Sequence, residues 1–136
     1  MVSFGMRKTA LPQAERARKI RFERLVVRAL RRLPSDVRDM LDNVEIVVED
    51  EPTAEQIGSY EDGDELFGLY EGTPLTARGS DYSLVLPDKI TIFRRPIERA
   101  CCTPEEMADE IRITVIHELA HHFGIEEDRI ADLGWA

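Results

Sequence analysis

All 3 histidines of this 136-residue chain lie within six positions, in His117-Glu118-Leu119-Ala120-His121-His122. On an α-helix the first and fifth of these positions are ~40° apart around the axis and ~6 Å apart along it, so both imidazoles can reach one cation. The pair is a two-toothed chelate for a divalent metal, and zinc suits such donors. Glu118 is rotated by ~100° from His117, so it flanks the ion without being forced to ligate it. It can therefore take a proton from a water that the ion acidifies. Zinc brings such a water to a pKa of ~7 and polarises a carbonyl, and the carboxylate can then carry the proton to a leaving amine. These residue types at this spacing point to hydrolysis, with a peptide bond as first choice. The pattern activates water and does not name the bond.

A catalytic zinc usually has three protein ligands and one open position, so a third donor must come from elsewhere. Gly124 permits a sharp turn directly after the helix, and Ile125-Glu126-Glu127-Asp128-Arg129 can return an acid to the same ion. Counted from His117 as one, Gly124 is eight and Glu127 is eleven, where proteases of the pattern H-E-x-x-H-x-x-G-x-x-H place their third histidine. Glu127 is the first choice of ligand, Asp128 the second and Glu126 the least favoured. Either acid can also simply begin a short helix, where negative charge is favoured. His122 points ~100° away from His121 and is expected to pack. Cys101 and Cys102 read as small hydrophobes near a helix start.

These side chains need a helix of fixed register. Thr103 can cap it, Pro104 fits its first position, Glu106 completes a capping box, and Gly124 is a natural stop. Met107, Ile111, Val115, Leu119 and His122 form one row, while Ile113, Ile116, Ala120 and Phe123 add a second. A helix apolar over so much of its circumference is buried on most sides.

Upstream, the first ~12 residues lack periodicity and are expected to fray. Helical spacing runs from Ala14 to Leu33, ended by Pro34, and Ser35 can cap a short helix to Leu41. One turn of helix is expected over residues 53–57. Strands are expected at residues 44–48, 66–70 and 89–94, the last closed by Pro96. Residues 62–64 read as a turn and residues 72–83 as an exposed loop. The edge strand at 66–70 with residues 73–82 is the candidate substrate wall, since extended peptides bind along sheet edges. Tyr70 or Tyr82 is a candidate oxyanion donor.

With 43% hydrophobic and 33% charged residues, the chain can bury a core without disulfides, and no apolar run reaches the ~18–20 residues of a membrane span. The adjacent cysteines suit a reducing compartment, so a cytoplasmic protein with no membrane partner is expected. Residues 1–32 hold 10 of the 18 Lys and Arg against only Glu15 and Glu23, although the whole chain carries a net charge of −9. A basic arm on an acidic body can contact nucleic acid or an acidic partner, dock on the body, or form a solvated helix face.

Several motifs together resemble a known family. His117-Glu118-Leu119-Ala120-His121-His122-Phe123-Gly124 followed by acids, Phe67-Gly68-Leu69-Tyr70-Glu71-Gly72, Leu86-Pro87-Asp88-Lys89-Ile90-Thr91-Ile92-Phe93 and the segment 42–52 are similar to the minimal zincins, small bacterial metallopeptidases. The resemblance runs from about Phe22 to the C-terminus. It implies an α+β fold, a small mixed sheet packed on the active-site helix with N-terminal helices. It also implies zinc at His117 and His121 and an acidic third ligand. The expected organisation is a basic extension over residues 1–20 and a metallopeptidase domain over 21–136. The expected protein is a monomer acting on peptide or protein substrates. The rival is a catalytically silent zincin-like module whose basic arm binds a protein partner or RNA.

Overall fold

The computed structural model describes residues 2–4, 12–58, 65–72 and 87–135. The expected turn at 62–64, the loop at 73–82 and Tyr82 lie outside these residues. In chain order the elements are β1 (Val2–Phe4), α1 (Gln13–Arg31), α2 (Ser35–Met40), β2 (Val44–Glu49), α3 (Ala54–Gly58), β3 (Gly68–Glu71), β4 (Asp88–Phe93), α4 (Arg94–Ala100), α5 (Pro104–His122) and α6 (Glu127–Asp132). No helix among the described residues is long and apolar enough to cross a membrane.

The sheet has the order β1-β2-β4-β3. β1 and β4 run parallel to β2, and β3 runs antiparallel to β4 with Gly68 opposite Ile92 and Glu71 opposite Lys89. The sheet is therefore mixed and the domain is α+β. In β2, Val44, Ile46 and Val48 are buried and alternate with half-buried neighbours, as a strand with one core face requires. β4 is buried from Ile90 through Phe93, so it is covered on both faces. α5 lies against β3, β4 and α1, and its Ile111, Val115 and Leu119 join Phe22 and Val26 of α1 in one core.

Several features differ from the sequence expectation. Val2–Phe4 is a strand rather than a frayed start, because β2 offers it a parallel edge, a long-range pairing that local periodicity does not reveal. Ser35 is the first residue of α2 and Pro34 its N-cap, with no side-chain cap. The third strand stops at Phe93, and Arg94–Ala100 is a helix. Pro96 lies in its first turn, where the missing N–H has no intrahelical acceptor to lose. Ile113 and Phe123, placed in an apolar row, are 39% and 53% exposed. The boundary drawn between residues 20 and 21 falls inside α1.

Among the described residues Arg94 is the largest fully buried side chain. Its Nε donates to Asp50 Oδ1 at 3.0 Å, its Nη1 to Glu98 Oε1 at 2.9 Å, and its Nη2 to Glu15 Oε1. One guanidinium thus ties α1, the end of β2 and α4 together. Each of its three nitrogens donates to a different acid, and every acid it meets is at least partly shielded. Part of the basic arm also docks on the body, since Arg28 and Arg32 pair with Glu105.

The C-terminal turn closes the core. Gly134 takes φ +78°, and the N–H of Trp135 donates to Ile130 O at 3.0 Å, which turns the buried indole inward.

Candidate metal and catalytic site

The register of α5 is set at its start. Thr103 Oγ1 accepts from the N–H of Glu106 at 3.1 Å and donates to Glu106 Oε1 at 3.2 Å, with Pro104 in the first position. Such a cap contributes about 1 kcal/mol. Ile111, Val115, Ile116, Leu119 and Ala120 are buried, which leaves His117 and His121 on the exposed side, one turn apart.

The helix ends as the glycine at 124 dictates. Gly124 takes φ +71°, and the N–H of Ile125 reaches back to Ala120 O at 2.8 Å, the 6→1 bond of a Schellman turn. That reversal starts α6 beside the helix just left. Glu127, its first residue, lies with Oε1 3.5 Å from His117 Nδ1. A tetrahedral zinc with bonds of ~2.0–2.2 Å sets neighbouring donors roughly 3.3–3.6 Å apart, so this separation fits two ligands of one ion. Asp128 lies in the first turn of α6 and Glu126 is its N-cap, both exposed. Among the described residues no set of three His, Cys, Asp or Glu side chains stands in metal-holding geometry. His117 and Glu127 are brought together, and His121 lies one turn further along the same exposed side of α5.

Glu118 is turned about 100° from His117 around the helix, toward the sheet, and stays near both His117 and His121. It is half-buried, and its Oε1 accepts from the backbone N–H of Tyr70 at 3.0 Å. Burial pushes its carboxyl above the ordinary value, opposed by the Tyr70 hydrogen bond and by the nearness of His121 and His117.

Tyr70 is the residue through which β3 grips the helix. Its ring stacks on His122 with centroids 3.9 Å apart at 15°, and its hydroxyl donates to Asp88 Oδ2 at 2.7 Å. His122 therefore packs one face of its ring on Tyr70 but stays exposed, unlike the buried Ile111, Val115 and Leu119 of the row in which it was expected. The Tyr70 hydroxyl is committed to Asp88, which sequence reasoning did not single out. Asp88 sits two residues before Ile90, the partner of Tyr70 across β3 and β4. That diagonal is legible only once the pairing is known.

The close approach of β3 to α5 depends on Gly68. A Cβ there would lie 2.5 Å from Thr114 Cγ2 and 3.1 Å from Thr91 O. Cys101 and Cys102 are free thiols at the opposite end of α5. His117 lies thirteen residues beyond Pro104, about 20 Å along the axis, so neither thiol belongs to this site.

A small sheet with an antiparallel edge strand, laid on a helix that carries H-E-x-x-H, defines a class of metallopeptidase-like domain. The family described as zincin-like metallopeptidase matches residues 41–135, and the chain belongs to that family. Among solved structures the chain is similar to a conserved hypothetical protein from Thermo thermophilus, at 23% identity and a TM-score of 0.52, over 78% of this chain and 94% of that one. That likeness is one of fold. A comparison with curated proteins gives no match.

Proposed function

We propose that this chain is a zinc-dependent peptidase in which Glu118 is the general base and His117, His121 and Glu127 would hold the metal, with Asp128 as second choice for the carboxylate. The observation that carries this reading is the pair of adjacent arrangements on one helix. His117 and Glu127 stand 3.5 Å apart on its outer side, while Glu118 is clasped by the edge strand on the next. When bound, zinc would polarise the scissile carbonyl and make water acidic.

The work of the chain's own residues follows from their placement. Glu118 accepts the proton of the attacking water and returns it to the leaving amine. The Tyr70 N–H holds one carboxylate oxygen so that the other stays available. Among the described residues β3 is the edge of the sheet beside the helix, where an extended substrate could pair with the backbone groups that the Tyr70–Glu118 bond leaves open. Among partners, we favour a peptide or protein substrate met by a cytoplasmic monomer.

The test is hydrolysis of a mixed peptide library by the full chain stripped of metal and then reloaded with zinc. Cleavage restored by zinc supports the reading, and a reloaded chain that leaves every peptide intact overturns it.

A further inference from the structure

Away from the histidines, α1 meets the start of α5 around an apolar cavity of about 550 Å³. Its floor is Phe22, Leu25, Pro104 and Met107. Its rim is Arg18, Arg21 and Arg24, spaced three residues apart along α1 and so spanning about 9 Å, together with Glu98, whose carboxylate is already paired with Arg94 at 2.9 Å. Among the described residues Arg18 has only an exposed contact to Glu15 at 3.5 Å, which holds it weakly. Arg21 and Arg24 make no ion pair among the described residues, although the body they sit on is strongly acidic.

We propose that this groove docks an acidic amphipathic helix of a partner protein, whose apolar seam fills the cavity while its acids pair with Arg18, Arg21 and Arg24. A helix laid alongside α1 presents acids at three- and four-residue intervals, which match the arginine spacing, and anchors of the same period, which match the floor. A fatty acid fits the floor but brings one carboxylate, leaving two guanidiniums unmatched. Nucleic acid matches the charge, but the floor is aliphatic apart from the buried Phe22 and offers no open stacking platform. A second copy does not supply the occupant from its described residues, because the apolar face of α5 is buried and α6 has six residues.

The test uses the full chain and a labelled synthetic peptide of about 15 residues, with leucines at helical spacing flanked by glutamates. Its anisotropy should report a micromolar Kd that weakens as salt rises. Arg21→Glu with Arg24→Glu should weaken binding at least about tenfold, that is about 1.4 kcal/mol, without lowering Tm. Met107→Gln should weaken it as well. Equal binding of a scrambled peptide of the same composition would overturn the proposal, since charge alone would then suffice. So would unchanged affinity in the double variant, or displacement of the peptide by laurate or by single-stranded RNA at lower concentration. Self-association of the unliganded chain that the double variant abolishes would also overturn it in favour of a second copy.

Discussion

The backbone N–H of Tyr70 donates to Glu118 Oε1 at 3.0 Å, so the edge strand of the sheet and the acid of the histidine helix are joined by one hydrogen bond. A main-chain donor fixed in a strand costs no side-chain entropy to hold in place. It restricts the carboxylate without consuming both oxygens. The stack of Tyr70 on His122 and its bond to Asp88 keep that donor where it is.

Glu118→Gln should abolish most of the activity while leaving the fold intact, because the amide oxygen still accepts from Tyr70 but the side chain no longer takes a proton. A loss of about 10²- to 10⁴-fold in kcat is expected for removal of a general base. Peptide cleavage by the zinc-loaded variant, measured beside its far-UV circular dichroism, checks this.

The same substitution carries a pH signature in metal-free protein. The Glu118 carboxyl is raised by burial, so the folded chain binds its proton more tightly than the unfolded one, and ionising it opposes folding as pH rises through the raised value. Glutamine does not ionise. The Tm of Glu118→Gln minus that of the parent should be near zero at pH 4 and positive at pH 7, as thermal melts across that range would show.

Gly68→Ala should cost about 1–3 kcal/mol, the range for overpacking, because the new Cβ meets Thr114 Cγ2 and the carbonyl of Thr91. Adding Thr114→Ser removes one of those two obstacles. Denaturant melts should show partial recovery in the double variant, whereas additive losses would mean that the strand does not rest on Thr114.

Arg94→Met should be among the most destabilising single changes, since it leaves Glu15, Asp50 and Glu98 without their common cation. Breaking such a buried arrangement costs about 3–5 kcal/mol. For a chain of this length that is a fall in Tm of roughly 10–20 °C. The hydrogen bond to Arg94 holds Glu15 below the ordinary value of 4.5. That contribution is present above pH 4.5 and is lost as pH falls through the lowered value. The deficit of the variant should therefore shrink in acid, which calorimetry at pH 3 and pH 7 can measure.

Much of the site was legible in the sequence because it is local. Thr103, Pro104, Glu106 and Gly124 announce where α5 starts and stops, and helix geometry then fixes how His117, Glu118, His121 and His122 share its circumference. What the sequence concealed depends on distant pairing. β1 became visible only through β2, the Tyr70–Asp88 bond through the register of β3 on β4, and the burial of Arg94 through three acids from separate elements. Pro96 misled because a proline that closes a strand and one that opens a helix read alike in isolation. Phe123 and Ile113 misled because helical periodicity marks a face without saying whether anything covers it.

The most direct measurement is the zinc content of protein purified without chelator, for the parent chain, His117→Ala and His121→Ala, by elemental mass spectrometry. A stoichiometric ion in the parent that is lost in both variants, with unchanged circular dichroism, is the predicted result. A parent chain that holds no zinc after loading, or variants that retain as much as the parent, would contradict the assignment of these two imidazoles to a metal.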